Sequence, residues 1–581
     1  MADHSSRSAR LAALAGGAIL LCWLALAALT LVGAHHDVDQ GVDSIDKARA
    51  HADAAAVAEG RLLPPLRHAR GQFAKAHSRV TGPVLAPLRV LPFVGRQLSS
   101  VAALAGSATK ATDAAIGGTI DAERALAAPP GNIAARSVTA RDLAGVAARV
   151  DQRLNGLSLG PSHGLLPPLA RARNRMAGEL DVLRSTLNKG AVGGTALADF
   201  LTGPHRYLVF AANNAEMRAG SGMFLSVGEL ETGPDGIHLG EMRSVTEILL
   251  PKDAVPVTGD LAARWGWLSP GVDWRNLMTS PRFEAAAPLA AQMWVALGNR
   301  PVDGVLALDP VALSGMLGAV GPVDVGGHRI DQDNVEDELL HGQYLRFPSD
   351  ADVSQRRDEL GALASAVFDQ LDTGSWSVSK LGSGLAGAAG GRHLLLWSAQ
   401  SAQETAWQTL GVDGALHPDS LLVSVLNRGG NKLDWFLHVS SDVKVRSVGP
   451  DSEVSVTMHL DNRVPDGEPT EIAGPDVHSG VSAGVYLGIV TVDLPGAARD
   501  ARFDGVTNLA VVGPDGPSQV IGFQLDVPQG TQRTVVARFR LPGRRGSLRV
   551  EPSARVPAIK WTSGSTSWSD GTSAKFLTWK A

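Results

Sequence analysis

The stretch RYLVFAANNAEMRAGSGMFLSVGELETGPDGIHLGEMRSVTE, residues 206–247, decides how the middle of this chain is read. Arg206 to Phe210 is a short apolar run suited to a buried strand. It leads into Asn213-Asn214-Ala215-Glu216-Met217-Arg218, where the asparagines suit a turn. Gly220 and Gly222 then flank Ser221, where the backbone can turn tightly or approach a ligand. Met223–Leu230 and Ile237–Met242 alternate as strands do. Between them Thr232-Gly233-Pro234-Asp235-Gly236 is a strong turn signal. An arginine sits just beyond a strand end twice, at Arg218 and Arg243.

Working outward, residues 302–325 hold a strand that runs into Asp309-Pro310, a helix N-cap followed by proline at the first helical position. That helix is expected to stop near Gly318–Gly321, with a new strand from Val323. Residues 334–347 and 354–371 follow, the latter with helical periodicity. Strand and helix alternation implies an α/β sheet with helices on its faces. From about Leu421 the pattern changes to short alternating strands separated by Gly/Pro/Asp turns, as in an antiparallel β-sandwich of immunoglobulin-like architecture.

Toward the N-terminus, residues 38–200 show apolar spacings of three and four and no strand alternation, which predicts a helical stalk. Breaks are expected at Pro64-Pro65, Pro83–Pro92, Pro129-Pro130 and Pro167-Pro168, with Lys189-Gly190 capping the last helix. Leu11–Ala34 carries no charge over 24 residues, enough for a helix to cross a bilayer of roughly 30 Å. Arg7 and Arg10 precede it and Asp37 and Asp39 follow. The expected orientation is therefore an N-terminus in the cytoplasm and the bulk of the chain outside. A cleaved signal peptide is the competing reading. The expected division is 1–10 cytoplasmic, 11–34 transmembrane, 35–200 stalk, 201–415 α/β core and 416–581 sandwich.

The 581 residues carry a net charge of −5, which gives no reason to expect nucleic acid as a partner. Cys22 is the one cysteine, so neither an intramolecular disulfide nor a thiolate metal site can be built. Gly480-Val481-Ser482-Ala483-Gly484 has the spacing of a nucleophile elbow, but the residues after it read as strand where an elbow needs a helix. The glycine-rich run 382–391 lacks the Lys-Ser/Thr of a phosphate loop and reads as a connector or a helix–strand joint.

The ordered set RYLVFAANNAEMR, EMRSV, VDGVLALDPVALSGMLGAVGPVDV and LHGQYLRF…SQRRDELGALA resembles the core of the LytR-CpsA-Psr family. Those are bacterial envelope phosphotransferases that move glycopolymers from polyprenyl-pyrophosphate carriers to the wall. The chain resembles more closely a group of uncharacterised, membrane-anchored bacterial proteins known as a domain of unknown function. The resemblance spans about 165 residues. It implies phosphate-facing roles for Arg218, Arg243, Arg346 and Arg357, supported by Asn213, Asn214, Glu216 and Ser221. Guanidinium forks hold phosphate oxygens bidentately and stay charged.

The sequence departs from that family at its acidic positions, where Asn213-Asn214, Gly220-Ser221-Gly222 and Ser244 stand. Magnesium wants carboxylate oxygens, and Glu216 alone remains nearby. The arginines also suit a plainer role, Arg218 and Arg243 pairing with Glu216 or Glu241, and Arg346, Arg356 and Arg357 forming a solvated helix start beside Asp350, Asp352 and Asp358. Asn213 and Asn214 suit a turn. The expectation is a membrane-anchored envelope protein that binds, and helps transfer, a lipid-linked glycan or wall polymer. The alternative is a non-catalytic scaffold or adhesion protein on the same fold.

Overall fold

The computed structural model describes residues 3–50, 56–57, 59–127, 132–349, 353–475 and 480–580, without the side chains of residues 3–22, 353 and 357. The chain has a helical N-terminal region, a mixed α/β middle and a β-rich C-terminal region. It divides into two compact units, residues 1–129 with 138–198, and residues 130–137 with 199–581.

The first unit is built from α1 (Asp3–Ala50), α2 (Leu63–Thr81), α3 (Pro92–Leu126) and most of α4 (Ile133–Asn155) and α5 (Pro167–Thr202). Proline marks three of the starts, at the second position of α2 and the first of α3 and α5, where its missing N–H has no intrahelical role. The break expected at Pro129-Pro130 lies outside the described residues. The cap expected at Lys189-Gly190 does not end α5, which continues to Thr202. Further along the same helix, Gly194 explains how glycine is used: a Cβ there would press on the Ala140 carbonyl and on Ala144, so it lets α4 and α5 approach closely. The span expected over Leu11–Ala34 falls on α1, partly on undescribed side chains. Among the described residues no helix is long and apolar enough to cross a membrane.

In the second unit, the first sheet has the order β3-β2-β1-β5-β8, with β4 beside β2. Its strands are β1 (His205–Met217), β2 (Gly222–Gly233), β3 (Gly236–Leu239), β4 (Arg243–Ser244), β5 (Gly304–Leu308) and β8 (Leu394–Ser398). β1 runs parallel to β5 and antiparallel to β2. Helices α6 (Phe283–Ala296), α7 (Pro310–Val320), α8 (Val353–Thr373), α9 (Val378–Gly390) and α10 (Ser401–Leu410) belong to this region. Asp309 caps α7 by accepting from the backbone of Val311 and Ala312, as its sequence predicts. The strand expected from Val323 exists as β6 (Val323–Val325), but it pairs only with β7 (His328–Ile330), apart from the main sheet.

The glycine-rich run 382–391 is mostly the end of helix α9, just before β8, so it is the helix–strand joint and not a flexible connector. Gly384 meets Gly315 of α7 backbone to backbone, and a Cβ on either would collide with the other.

The β-rich region forms two six-stranded sheets. One has β13 (Arg499–Asp504), β16 (Gln532–Leu541), β11 (Asp451–Asn462), β10 (Leu437–Val448), β18 (Lys560–Ser563) and β19 (Thr566–Ser569), in that order. The other has β14 (Leu509–Asp515), β15 (Ser518–Val527), β12 (Tyr486–Pro495), β9 (Ser420–Asn427), β17 (Gly546–Val550) and β20 (Lys575–Trp579). Val425, Val439, Val456, Val490 and Phe539 come from both sheets and share one core. The second sheet is also covered on its outer side, because Leu426, Ile489, Val511 and Val520 join the core of the α/β region around Phe210, Trp265 and Trp274. Accordingly all eight residues of β9 are buried, and SLLVSVLN reads as a nearly continuous apolar run. Trp561 is buried and stacks on Trp568 at 6.1 Å, so these indoles pack the edge of the β-rich region.

Candidate functional site

The end of β1 departs from the sequence reading in a way that creates a site. Asn213 pairs with Met223, yet Met217 already pairs with Gly222, so residues 214–216 bulge out of the ladder. Gly222 is required there, because a Cβ would strike the Asn213 backbone. The stretch where Asn213-Asn214 suited a turn is thus a bulged strand end, and the bulge turns Glu216 and Arg218 toward the end of β9. Two segments far apart in sequence meet there, NNAEMR at 213–218 and NRGGNKLD at 427–434.

A cavity of about 620 Å³ opens at this junction. Its floor and walls include Glu216, Arg218, Ser244, Asp273, Arg275, Tyr344, Arg356, Arg428, Lys432 and Glu471, with Met223, Leu225 and Leu360 as apolar wall. Among the described residues this lining holds five cations and three carboxylates. Each carboxylate is taken: Glu216 accepts from Lys432 Nζ at 2.9 Å, Asp273 from Arg275 Nη2 at 2.7 Å, and Glu471 lies 3.2 Å from Arg356 Nη2. Arg218 and Arg428 are left with no carboxylate in ion-pair range among the described residues.

Arg218 is 5% exposed. Its Nε donates to the Arg275 carbonyl at 2.9 Å, and its Nη1 donates to the carbonyls of Met217 and Asn427 at 3.1 and 2.9 Å. Burial pushes its pKa down to about 10, against the pull of Glu216. A buried guanidinium held only by carbonyl dipoles is costly unless an anion completes it. Arg428 is exposed at the mouth, with its guanidinium carbon 6.0 Å from the ring of the half-exposed Trp267. Partial burial lowers its pKa as well.

Burial opposes the charge on Lys432, yet the Glu216 carboxylate holds its ammonium above the ordinary lysine range. Lys432 and Arg356 both lie over the Tyr344 ring, at 4.9 and 5.5 Å. Burial raises the Tyr344 phenol, which therefore stays protonated and accepts from Asn213 Nδ2 at 2.9 Å.

The other residues singled out in the sequence take different places. Arg243 is exposed on β4, while its neighbour Ser244 faces the cavity, as strand alternation requires. Arg346 is engaged by Glu338 and by Glu359, whose pairing outweighs burial and raises its pKa. The Arg357 side chain lies outside the described residues, and it is Arg356 that reaches the cavity. Asn214 donates to Asp309 and to the Ala554 carbonyl, both at 2.7 Å, so it ties the α/β region to the β-rich one. Ser221 donates to the Gly222 carbonyl at 2.9 Å. Ser482 of the G-x-S-x-G stretch accepts from the Val485 backbone in a turn just before β12.

Among the described residues no group of three or more His, Cys, Asp or Glu side chains could hold a metal ion. The carboxylates of the cavity do not suit magnesium either, since Glu216, Asp273 and Glu471 each face a cation. The sequence reading missed Arg275, Arg428 and Lys432. The last two flank Gly429-Gly430 at the end of a nearly continuous apolar strand, a local cue that does not by itself say what the strand end meets.

Residues 202–344 match the family described as "Protein of unknown function (DUF4012)". That span supplies Glu216, Arg218, Asp273, Arg275 and Tyr344, whereas Arg428, Lys432 and Glu471 lie beyond it. No curated protein matches the chain.

Proposed function

We propose that the second unit binds a phosphate-bearing ligand of the bacterial envelope, a polyprenyl-phosphate-linked glycan or a wall glycopolymer, in a protein held at the plasma membrane through Leu11–Ala34. The observation that carries this reading is Arg218, a buried guanidinium without a carboxylate at the floor of a cavity with two cations in excess. Phosphate oxygens would supply the missing countercharge, with Arg428 as a second fork at the mouth. The cavity volume lies within the range of small-molecule sites, and Met223, Leu225 and Leu360 offer a short apolar wall to a lipid-linked group. The resemblance to LytR-CpsA-Psr proteins supports the ligand class.

Binding without catalysis is the form the geometry favours, because Glu216, the residue available for acid–base or metal duty, is held by Lys432 at 2.9 Å. The chain then acts as a ligand-holding scaffold of the envelope. The test is calorimetric titration of the purified chain with a short-chain polyprenyl pyrophosphate, with and without magnesium. Binding independent of magnesium and lost in Arg218→Met supports the proposal. Magnesium-dependent binding would reopen transfer chemistry, and no binding in either condition would move the search to protein partners.

A further inference from the structure

Within the helical unit, an apolar hairpin tip packs along the same part of α1 that reads as an anchor. The tip is VTGPVLAPLRVLPFVG, residues 80–95, between α2 and α3. Arg89 is its one charged residue, and that guanidinium donates back to the Val80 carbonyl. Trp23 Nε1 of α1 donates to the Val84 carbonyl at 2.9 Å. Ala27 and Ala34 of α1 form one buried cluster with Val80, Leu85 and Leu98.

The outward side of this assembly is apolar too. Val90 is 81% exposed and Phe93 58%, beside Leu91, and along α1 Leu24, Leu26, Leu29, Leu31 and Val32 are exposed. Single exposed apolar residues are ordinary in water, but eight large ones on adjoining elements mark an interaction surface. Its polar limit is an ion pair, Asp37 Oδ2 to Arg79 Nε at 2.8 Å, next to His35 and His36. From Trp23 to Ala34 α1 has no charged residue.

We infer that the hairpin tip Val80–Gly95 inserts into the lipid bilayer beside α1, so that the membrane contact is a helical hairpin packed on a helix. This rests on the anchor reading above. Lipid is the occupant that fits, because the tip continues the face of the uncharged α1 segment, and the Asp37–Arg79 pair and the exposed Arg96 mark its edges, while the exposed Arg89 can reach back toward headgroups. The backbone is also prepared for it: Pro83, Pro87 and Pro92 have no N–H to desolvate. Short helical turns at Pro83–Leu85 and Ala86–Arg89 take up groups between them.

The test uses the full chain in nanodiscs, in a Cys22→Ser background with single cysteines carrying an environment-sensitive fluorophore. Phe93→Cys reports the tip, Val32→Cys reports α1, and the exposed Val182→Cys reports water. The expected result is blue-shifted emission quenched severalfold by acyl-chain-brominated lipid at positions 93 and 32, and neither at 182. Water-like emission at 93 with quenching at 32 overturns the tip and leaves the anchor standing. Water-like emission at both positions removes the anchor as well. A blue shift at 93 without bromine quenching means a second copy or another protein covers the tip, and also overturns the inference.

Discussion

Two arginine clusters lie side by side in the second unit, and they are built on opposite plans. Around Asp434 both carboxylate oxygens are taken. Arg555 Nη1 donates to its Oδ1 at 2.6 Å, Tyr486 to the same oxygen at 3.1 Å, and Met217 N and Asn427 Nδ2 to its Oδ2 at 3.0 and 3.1 Å. Both members of the pair have side chains with no exposure. Around Arg218, which shares Met217 and Asn427 with that cluster, no carboxylate closes the arrangement and a cavity lies open. The closed cluster fastens the bulged end of β1 to the end of β9, and the open one uses the fastened ends as its walls. Rigidity in the first is what preorganises the second.

The largest effect should come from breaking the closed cluster. Arg555→Met leaves Asp434 buried and uncompensated, a loss of about 3–5 kcal/mol in denaturant unfolding. A loss under about 1 kcal/mol would erase the contrast between the clusters. Arg218→Met should behave in the reverse sense. Its three carbonyl partners can turn to cavity water, so stability should stay within about 1 kcal/mol of the parent. Affinity for pyrophosphate should fall tenfold or more by calorimetry.

The contrast extends to a carboxylate with no arginine in ion-pair range among the described residues. Asp493 on β12 is buried with no hydrogen-bond partner on either oxygen among the described residues. Burial, and after it the nearby Asp515, raises its pKa well above the usual range. The folded chain therefore holds the carboxyl protonated where the unfolded chain ionises it. Its contribution is fully favourable below about pH 4 and is lost as pH rises toward the raised folded value. Asp493→Asn removes that dependence. The variant should be more stable than the parent by about 1 kcal/mol at pH 7, with the gain vanishing near pH 4 in thermal melts. The smallest effect belongs to Arg346→Ala, a partly exposed pair network outside the cavity. A change below about 1 kcal/mol and unaltered pyrophosphate affinity are expected.

Local grammar carried much of the fold. The hairpin turn at 232–236, the Asp309-Pro310 cap and the alternation after Leu421 are signals that neighbouring residues complete by themselves. Glycines misled where tertiary packing used them. Gly190 interrupts nothing, and Gly384 serves a close helix contact that needs Gly315, some seventy residues away by number. Of the candidate site, Arg218 and Glu216 could be singled out from the sequence because they stand together at one strand end. Arg428 and Lys432 were not, because only the Asp434 cluster brings residues 427–434 to residues 213–218, and no spacing in the sequence encodes that meeting. Arg346 looked equivalent to Arg218 as a residue type, and what separates them is Glu338 and Glu359, acids that a one-dimensional reading gives no reason to prefer.

The central claim is that the open cluster is an anion site. The most direct measurement is calorimetric titration of inorganic pyrophosphate into the purified chain, its Arg218→Met variant and its Arg428→Met variant, each first shown to melt as the parent does. The account predicts saturable binding to the parent, a loss of tenfold or more with Arg218→Met and a smaller loss with Arg428→Met at the mouth. Equal affinity in all three proteins would contradict it.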